Sequence, residues 1–117
     1  PWCDLDSKGA ILGLTMSTTR HDIVKGILDS LAYELRINVE TMRRAGIKIN
    51  ELRAVGGGAR SPIWLRIKAD VIGCRVSTLK VREAACLGAA ILAGTAVGAY
   101  ASMDEAVERT VKIKDIY

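Results

Sequence analysis

Phenylalanine is absent from this chain of 117 residues, and aromatic residues of all kinds make up 4 % of it. A β-sandwich cored by aromatic rings is therefore not the expected fold. Half of the residues are hydrophobic, with small aliphatics and glycine where rings would stand, which suits helices lying close on a sheet. The length allows one modest domain or part of one. Cysteine is sparse: Cys3, Cys74 and Cys86 are widely spaced and odd in number, no C-x-x-C occurs, and His21 is the only histidine. That excludes a disulfide framework and a zinc-ligand spacing; the expectation is buried, reduced thiols in a cytoplasmic protein. The opening Pro1-Trp2-Cys3-Asp4 has neither the basic nor the apolar part of a leader peptide, and it lacks an initiator Met, so the chain is expected to be a segment of something longer.

Charge is slight and uneven. The net charge is +4, but residues 60–82 carry six Lys or Arg (Arg60, Arg66, Lys68, Arg75, Lys80, Arg82) against the single acid Asp70. Either this excess attracts an anionic ligand or it is an ordinary solvated helix face. Nucleic acid is not an expected partner, because the basic residues lack interleaved aromatics and any recognised motif. Residues 84–101 hold no charge at all, and Gly94 with Gly98 forms a G-x-x-x-G, so a membrane-spanning helix has to be considered. Most of those residues are Ala or Gly, which gives little drive into lipid. A small-residue helix packed closely on a sheet or on another helix is expected, with no membrane partner.

Taken in order, residues 1–8 read as turn and Gly9–Thr15 as a short strand interrupted by a glycine. Thr19 with Asp22 three residues on has the form of a helix start. Val24, Ile27, Leu28, Leu31, Leu35, Val39 and Met42 then recur at helical spacing, and Arg43, Arg44 and Gly46 are a good stop. This helix is expected to be core support without chemistry. Residues 51–56 read as a strand, Pro62 to Gly73 as a helix, and Arg75–Leu79 as a second strand. Such a β-α-β unit implies parallel strands joined by a right-handed crossover. A small-residue helix follows from Glu83. Ser102 caps a last short helix with Met103, Ala106 and Val107 inward, and Val111–Tyr117 reads as an edge strand or a tail. The fold class is α/β, a mostly parallel sheet with packed helices, and the helices have more apolar face than so thin a sheet covers. Strands N-terminal to residue 1 are expected to be missing.

The stretch Val55-Gly56-Gly57-Gly58-Ala59-Arg60-Ser61-Pro62-Ile63-Trp64 stands out. Ser61 is a preferred N-cap, and Pro62 falls at the first helical position, where a missing N–H costs nothing. Strand, glycine turn and helix start together can present unpaired N–H groups to an anion. The signal is weak alone. The P-loop pattern is absent, and G-x-G-x-x-G fails because Ser61 stands where its third glycine should be. A plain tight turn remains the other reading.

Three separated motifs occur in one order: Gly9-Ala-Ile-Leu-Gly-Leu-Thr; the Val-Gly-Gly-Gly-Ala-Arg-Ser-Pro-Ile-Trp stretch with Ala69-Asp70-Val-Ile-Gly73; and Glu83-Ala-Ala-Cys-Leu-Gly-Ala-Ala-Ile-Leu-Ala-Gly94. Together they resemble the C-terminal domain of the FGGY carbohydrate kinases, and the resemblance covers essentially the whole chain. It implies an actin-like, ribonuclease H-like ATPase fold, with residues 1–117 forming the nucleotide-holding domain without its first strands. It also implies ATP and Mg2+ as cofactors, with the magnesium ligands outside this chain, and a sugar substrate met through an absent N-terminal domain. Carried over, the nucleotide loop falls on Gly57, Gly58 and Ala59, whose backbone would lie against adenosine and its phosphates. Glycerol kinases of the family place an Asn about where Pro62 stands, so the pattern here is closer to xylulokinases; Pro62 could pack on the base but cannot make an amide contact. The small-residue helix would lie beneath the site.

The implied reaction is direct phosphoryl transfer to a sugar hydroxyl, most simply of a ketopentose such as xylulose. Such catalysis rests on positioning and charge stabilisation, with the general base, an Asp, in the absent domain. This chain is expected to supply no catalytic residue and no metal ligand, to be inactive alone, and to read Asp70 as structural. A homodimer is kept open. The alternatives are a stand-alone nucleotide-binding or interaction module of the actin-like superfamily, and a related ATPase serving as chaperone or scaffold.

Overall fold

The computed structural model describes residues 6–81 and 83–117. Four helices and three strands follow one another: α1 (Arg20–Arg44), β1 (Glu51–Ala54), α2 (Pro62–Ile72), β2 (Arg75–Leu79), α3 (Ala84–Ala96), α4 (Met103–Thr110) and β3 (Ile113–Ile116), with a 3₁₀ turn at Gly57–Arg60.

α1 starts where its capping box places it. Asp22 N–H donates to Thr19 Oγ1 at 3.3 Å, and Thr19 N–H donates back to Asp22 Oδ2 at 2.9 Å, so two orphan donors of the first turn are satisfied. It ends as the glycine predicts. Gly46 takes φ +87°, its N–H bonds Arg43 O at 3.0 Å and Ile47 N–H bonds Met42 O at 3.1 Å, which is a Schellman closure. α2 is equally well punctuated: Ser61 Oγ accepts from Trp64 N–H, Pro62 occupies the first turn, and Gly73 closes it in the left-handed region.

The sheet has the order β1-β2-β3. β1 and β2 are parallel, Glu51 beside Arg75 through Ala54 beside Thr78, as the β-α-β reading requires. β3 is antiparallel to β2, which settles the last segment as a strand. Val76, Ser77 and Thr78 of the central strand are buried. The core lies where α2 packs between α1 and β2: Ala32, Val39, Leu65, Ile72 and Val76 are all under 5 % exposed. Burying Leu65 alone stabilises by about 2 kcal/mol.

Five expectations are corrected. Gly9–Thr15 forms no strand. A strand needs a neighbour for its N–H and C=O groups, none of the described residues pairs with it, and Ile11, Leu12 and Leu14 remain exposed. β1 ends at Ala54, before Val55, because Gly56 takes φ +74° and ψ −162°. The α1 stripe is only partly core: Val39 is buried, whereas Val24, Ile27, Leu31 and Met42 are about half exposed. The thiols are not uniformly buried: Cys74 is half-buried and Cys86, on the α3 surface, is exposed; Cys3 lies outside the described residues. In α4, Ala106 is buried while Met103 and Val107 are only partly covered.

No helix among the described residues is long and apolar enough to cross a membrane. Instead, Gly94 and Gly98 have separate local duties. Gly98, at φ +76°, stops α3, with Ala99 N–H bonded to Gly94 O at 2.8 Å. The chain then turns so that the Tyr100 ring sits on Gly94, where an added Cβ would lie 2.7 Å from Cε2. α3 packs on α4, the helix-on-helix option for a small-residue helix.

Candidate functional site

Parallel strands joined by a crossover leave a crevice at their C-terminal ends. Here β1 runs out into the glycine turn and β2 into Lys80-Val81, and between them lies a cleft of about 210 Å³. Its floor is Ala54 and Thr78, one wall is the turn with Gly56, Ala59, Arg60 and Pro62, and the other is β3 with Lys114, Asp115 and Tyr117.

Of the four residues singled out in the sequence, Ala59 and Pro62 line this cleft, and Gly57 and Gly58 do not. The three glycines differ in kind. Gly56 holds a backbone conformation essentially confined to glycine, and it redirects the chain from strand to turn. Gly57 is open on its side-chain face, with nothing within 4 Å of an added Cβ. Gly58 lies against the α2 indole, where an added Cβ would meet Trp64 Cζ3 at 3.0 Å. Trp64 is held in turn by Lys68, whose Nζ lies 3.7 Å from the ring centroid. Burial draws the Lys68 ammonium below its ordinary pKa of 10.5, while the ring face favours its charged form. Trp64 Nε1 is buried without a hydrogen-bond partner among the described residues.

The basic excess of residues 60–82 does not converge on the cleft. Arg60 lines it, Lys68 covers Trp64, and Arg66, Arg75 and Lys80 face solvent; Arg82 lies outside the described residues. Asp70 is exposed and lines no part of the cleft. No α3 residue lines it either; α3 packs on α4. Among the described residues no group of three or more His, Cys, Asp or Glu could hold a metal ion.

The β3 wall was invisible in the sequence. Lys114 and Asp115 reach the cleft because β3 pairs with β2 across 37 residues, a long-range contact that no local pattern encodes. Thr78 Oγ1 donates to Asp115 Oδ2 at 3.3 Å and accepts from Asp115 N–H at 3.2 Å. On the opposite side of the sheet, Ser77 Oγ donates to Glu51 Oε1. Both buried hydroxyls of β2 are thus paired, which the cost of an orphaned polar group demands.

A larger groove of about 400 Å³ lies between residues 10–14 and the first turns of α1. Its walls are mainly aliphatic, and its polar side chains are engaged locally: Asp22 in the helix cap, Ser30 donating to Ile27 O and Thr18 accepting from Thr15 N–H.

Known proteins place this arrangement. The sequence profile of the FGGY family of carbohydrate kinases, C-terminal domain, matches residues 1–97. The xylulose kinase of Staphylococcus epidermidis is 31 % identical over 100 % of this chain, which covers 24 % of that protein. The glycerol kinase of Lactobacillus acidophilus is 42 % identical over 90 % of the chain and 21 % of its own length. Among solved structures, Plasmodium falciparum glycerol kinase with ADP superposes with a TM-score of 0.83 at 27 % identity, over 95 % of this chain and 22 % of that one. A xylulose kinase from Rhodospirillum rubrum gives 0.81 at 27 % identity, over 97 % and 23 %. The chain thus spans about a quarter of the length of the curated relatives it matches. With its glycine turn set at the ends of two parallel strands in an actin-like ATPase fold, this chain belongs to the FGGY family of carbohydrate kinases, C-terminal domain.

Proposed function

We propose that this chain is the nucleotide-holding part of an ATP-dependent sugar kinase, most simply one acting on a ketopentose such as xylulose. The observation that carries the reading is the glycine turn. It stands at the mouth of a cleft between parallel strands, in a chain whose family profile covers residues 1–97. The cleft fits a nucleotide in kind. Gly56 and Ala59 keep the turn wall small, Gly57 beside that wall leaves room for close approach, Pro62 offers an apolar face for a base, and Arg60 has no ion-pair partner among the described residues with which a phosphate would compete.

Bound ATP would supply the phosphoryl group, and a divalent ion held by residues outside this chain would neutralise its developing charge. The chain's own task is positional. The turn between β1 and α2 holds Gly57, Gly58 and Ala59 in a fixed 3₁₀ conformation, so the nucleotide meets a preorganised surface. The catalytic base and the metal-holding groups are assigned to polypeptide beyond this chain, as is the sugar contact. Residues 1–117 are accordingly read as a C-terminal domain short of its first strands. The half-exposed α1 stripe and the unpaired segment 9–15 support that reading.

A second substrate reading has its own support: identity is higher to glycerol kinases, at 42 %, than to the xylulose kinase at 31 %. Pro62 argues the other way. A coupled ADP-release assay of the full-length protein against ketoses, aldoses, polyols and sugar acids decides between them. Turnover on a ketopentose is the expected result, and turnover on glycerol alone replaces the substrate. No turnover on any member sinks the kinase reading in favour of a nucleotide-binding module.

A further inference from the structure

β2 and β3 are out of step by one residue. Ser77 pairs with Ile116 and Leu79 with Ile113, so Lys114 and Asp115 together face Thr78. This is a β-bulge, which bends a strand and re-aims its side chains. In a regular strand two successive side chains point to opposite faces; here Lys114 and Asp115 both line the cleft.

We propose that this bulge makes Lys114 a phosphate-binding residue of the glycine-turn cleft, facing Arg60 from across β2. The proposal rests on reading that cleft as the nucleotide site. It adds a wall from residues beyond the 1–97 that the family profile covers. Asp115 is the brace. Its Oδ2 accepts from Thr78 Oγ1 at 3.3 Å and pairs with Lys114 Nζ at 3.1 Å, while its own N–H is tied to the same threonine. The ammonium keeps donors to spare, since Lys carries three, and its side chain is half exposed. Two cations against one carboxylate leave the cleft positive, which draws an anion.

The test uses the full-length protein and two probes, ADP and adenosine, in binding titrations of the wild type, Lys114→Met, Lys114→Arg and Gly57→Val. Methionine keeps the aliphatic stem and removes the charge at an exposed position, so folding is preserved. For Lys114→Met the dissociation constant for ADP should rise about tenfold, as for a lost charge-assisted bond, with adenosine unchanged. The gap from wild type should narrow as salt is raised, and Lys114→Arg should restore most of the affinity. If Lys114→Met weakens ADP and adenosine equally, or neither, while Gly57→Val weakens both, the phosphate role of β3 is overturned and the nucleotide turn survives. If Gly57→Val also leaves ADP binding untouched, both readings fall together.

Discussion

Among the three consecutive glycines, Gly56 is required by the backbone, Gly58 by a neighbouring ring, and only Gly57 is free of both demands. That separation decides which substitution reports on a ligand. Gly58→Val, the direct probe of the turn suggested by sequence, would push on Trp64 before meeting any nucleotide, and would loosen the indole that Lys68 covers. Gly57→Val meets nothing within 4 Å. In the full-length enzyme, Gly57→Val should raise the Michaelis constant for ATP by tenfold or more, about 1.4 kcal/mol, with the melting temperature held within a few degrees. Gly58→Val should lower the melting temperature as well, by the overpacking cost of about 1–3 kcal/mol. Steady-state kinetics beside thermal unfolding of both variants checks this. An unchanged ATP constant in Gly57→Val would remove that residue from the site.

Two elements carry predictions of their own. The α1 cap depends on an ionised Asp22, whose pKa is held below 3.8 first by the Thr19 hydroxyl and then by the Thr19 N–H. A depressed carboxylate stabilises the fold above its unfolded value, and the benefit is lost as pH falls through the lower folded value. Acid titration by circular dichroism should show α1 helicity falling below pH 3.8, with Asp22→Asn flattening that dependence; an identical titration in the variant would exclude the cap as its source. In α3, Gly94 is the seat of Tyr100. Gly94→Ala gains about 1 kcal/mol of helix propensity but displaces the ring at a cost of about 1–3 kcal/mol. It should therefore destabilise modestly in the native background and become stabilising in a Tyr100→Ala background. Chemical denaturation of the four-member cycle reads the coupling.

At the scale of the whole molecule the fold is open. The radius of gyration is 18.4 Å, against roughly 13 Å for a closed domain of this length. The surface of 8919 Å² exceeds the roughly 6,200 Å² of a compact monomer of this mass. The excess is partly apolar: Leu12, Leu14, Met16, Val24 and Ile27 stand at least half exposed. Exposed apolar surface of this kind marks an interaction face or an aggregation liability. Residues 1–117 expressed alone should bind a hydrophobic dye, self-associate and unfold without a sharp transition, whereas the full-length protein should do none of these. Sedimentation and dye binding check it; a monomeric, cooperatively unfolding fragment would mean that the segment is a self-sufficient domain.

What the sequence determined by itself is local, because its signals act over one helical turn. Thr19 with Asp22, Ser61 with Pro62, Gly46 and Gly73 each place an element boundary through hydrogen bonds made within a few residues. The β-α-β unit around the glycine turn follows from spacing and handedness. The three ordered motifs carried the family. What only the tertiary structure decided is whatever needs a distant partner. Gly9–Thr15 has the composition of a strand but no described neighbour to bond with. The Val24-to-Met42 stripe has helical periodicity but only part of a core to face. Lys114 and Asp115 looked like an alternating tail, and they enter the cleft because β3 docks on β2 one residue out of register. Periodicity states which face of an element is apolar or which way a regular strand points. Register and partner set what that face meets, and those are properties of the assembled sheet.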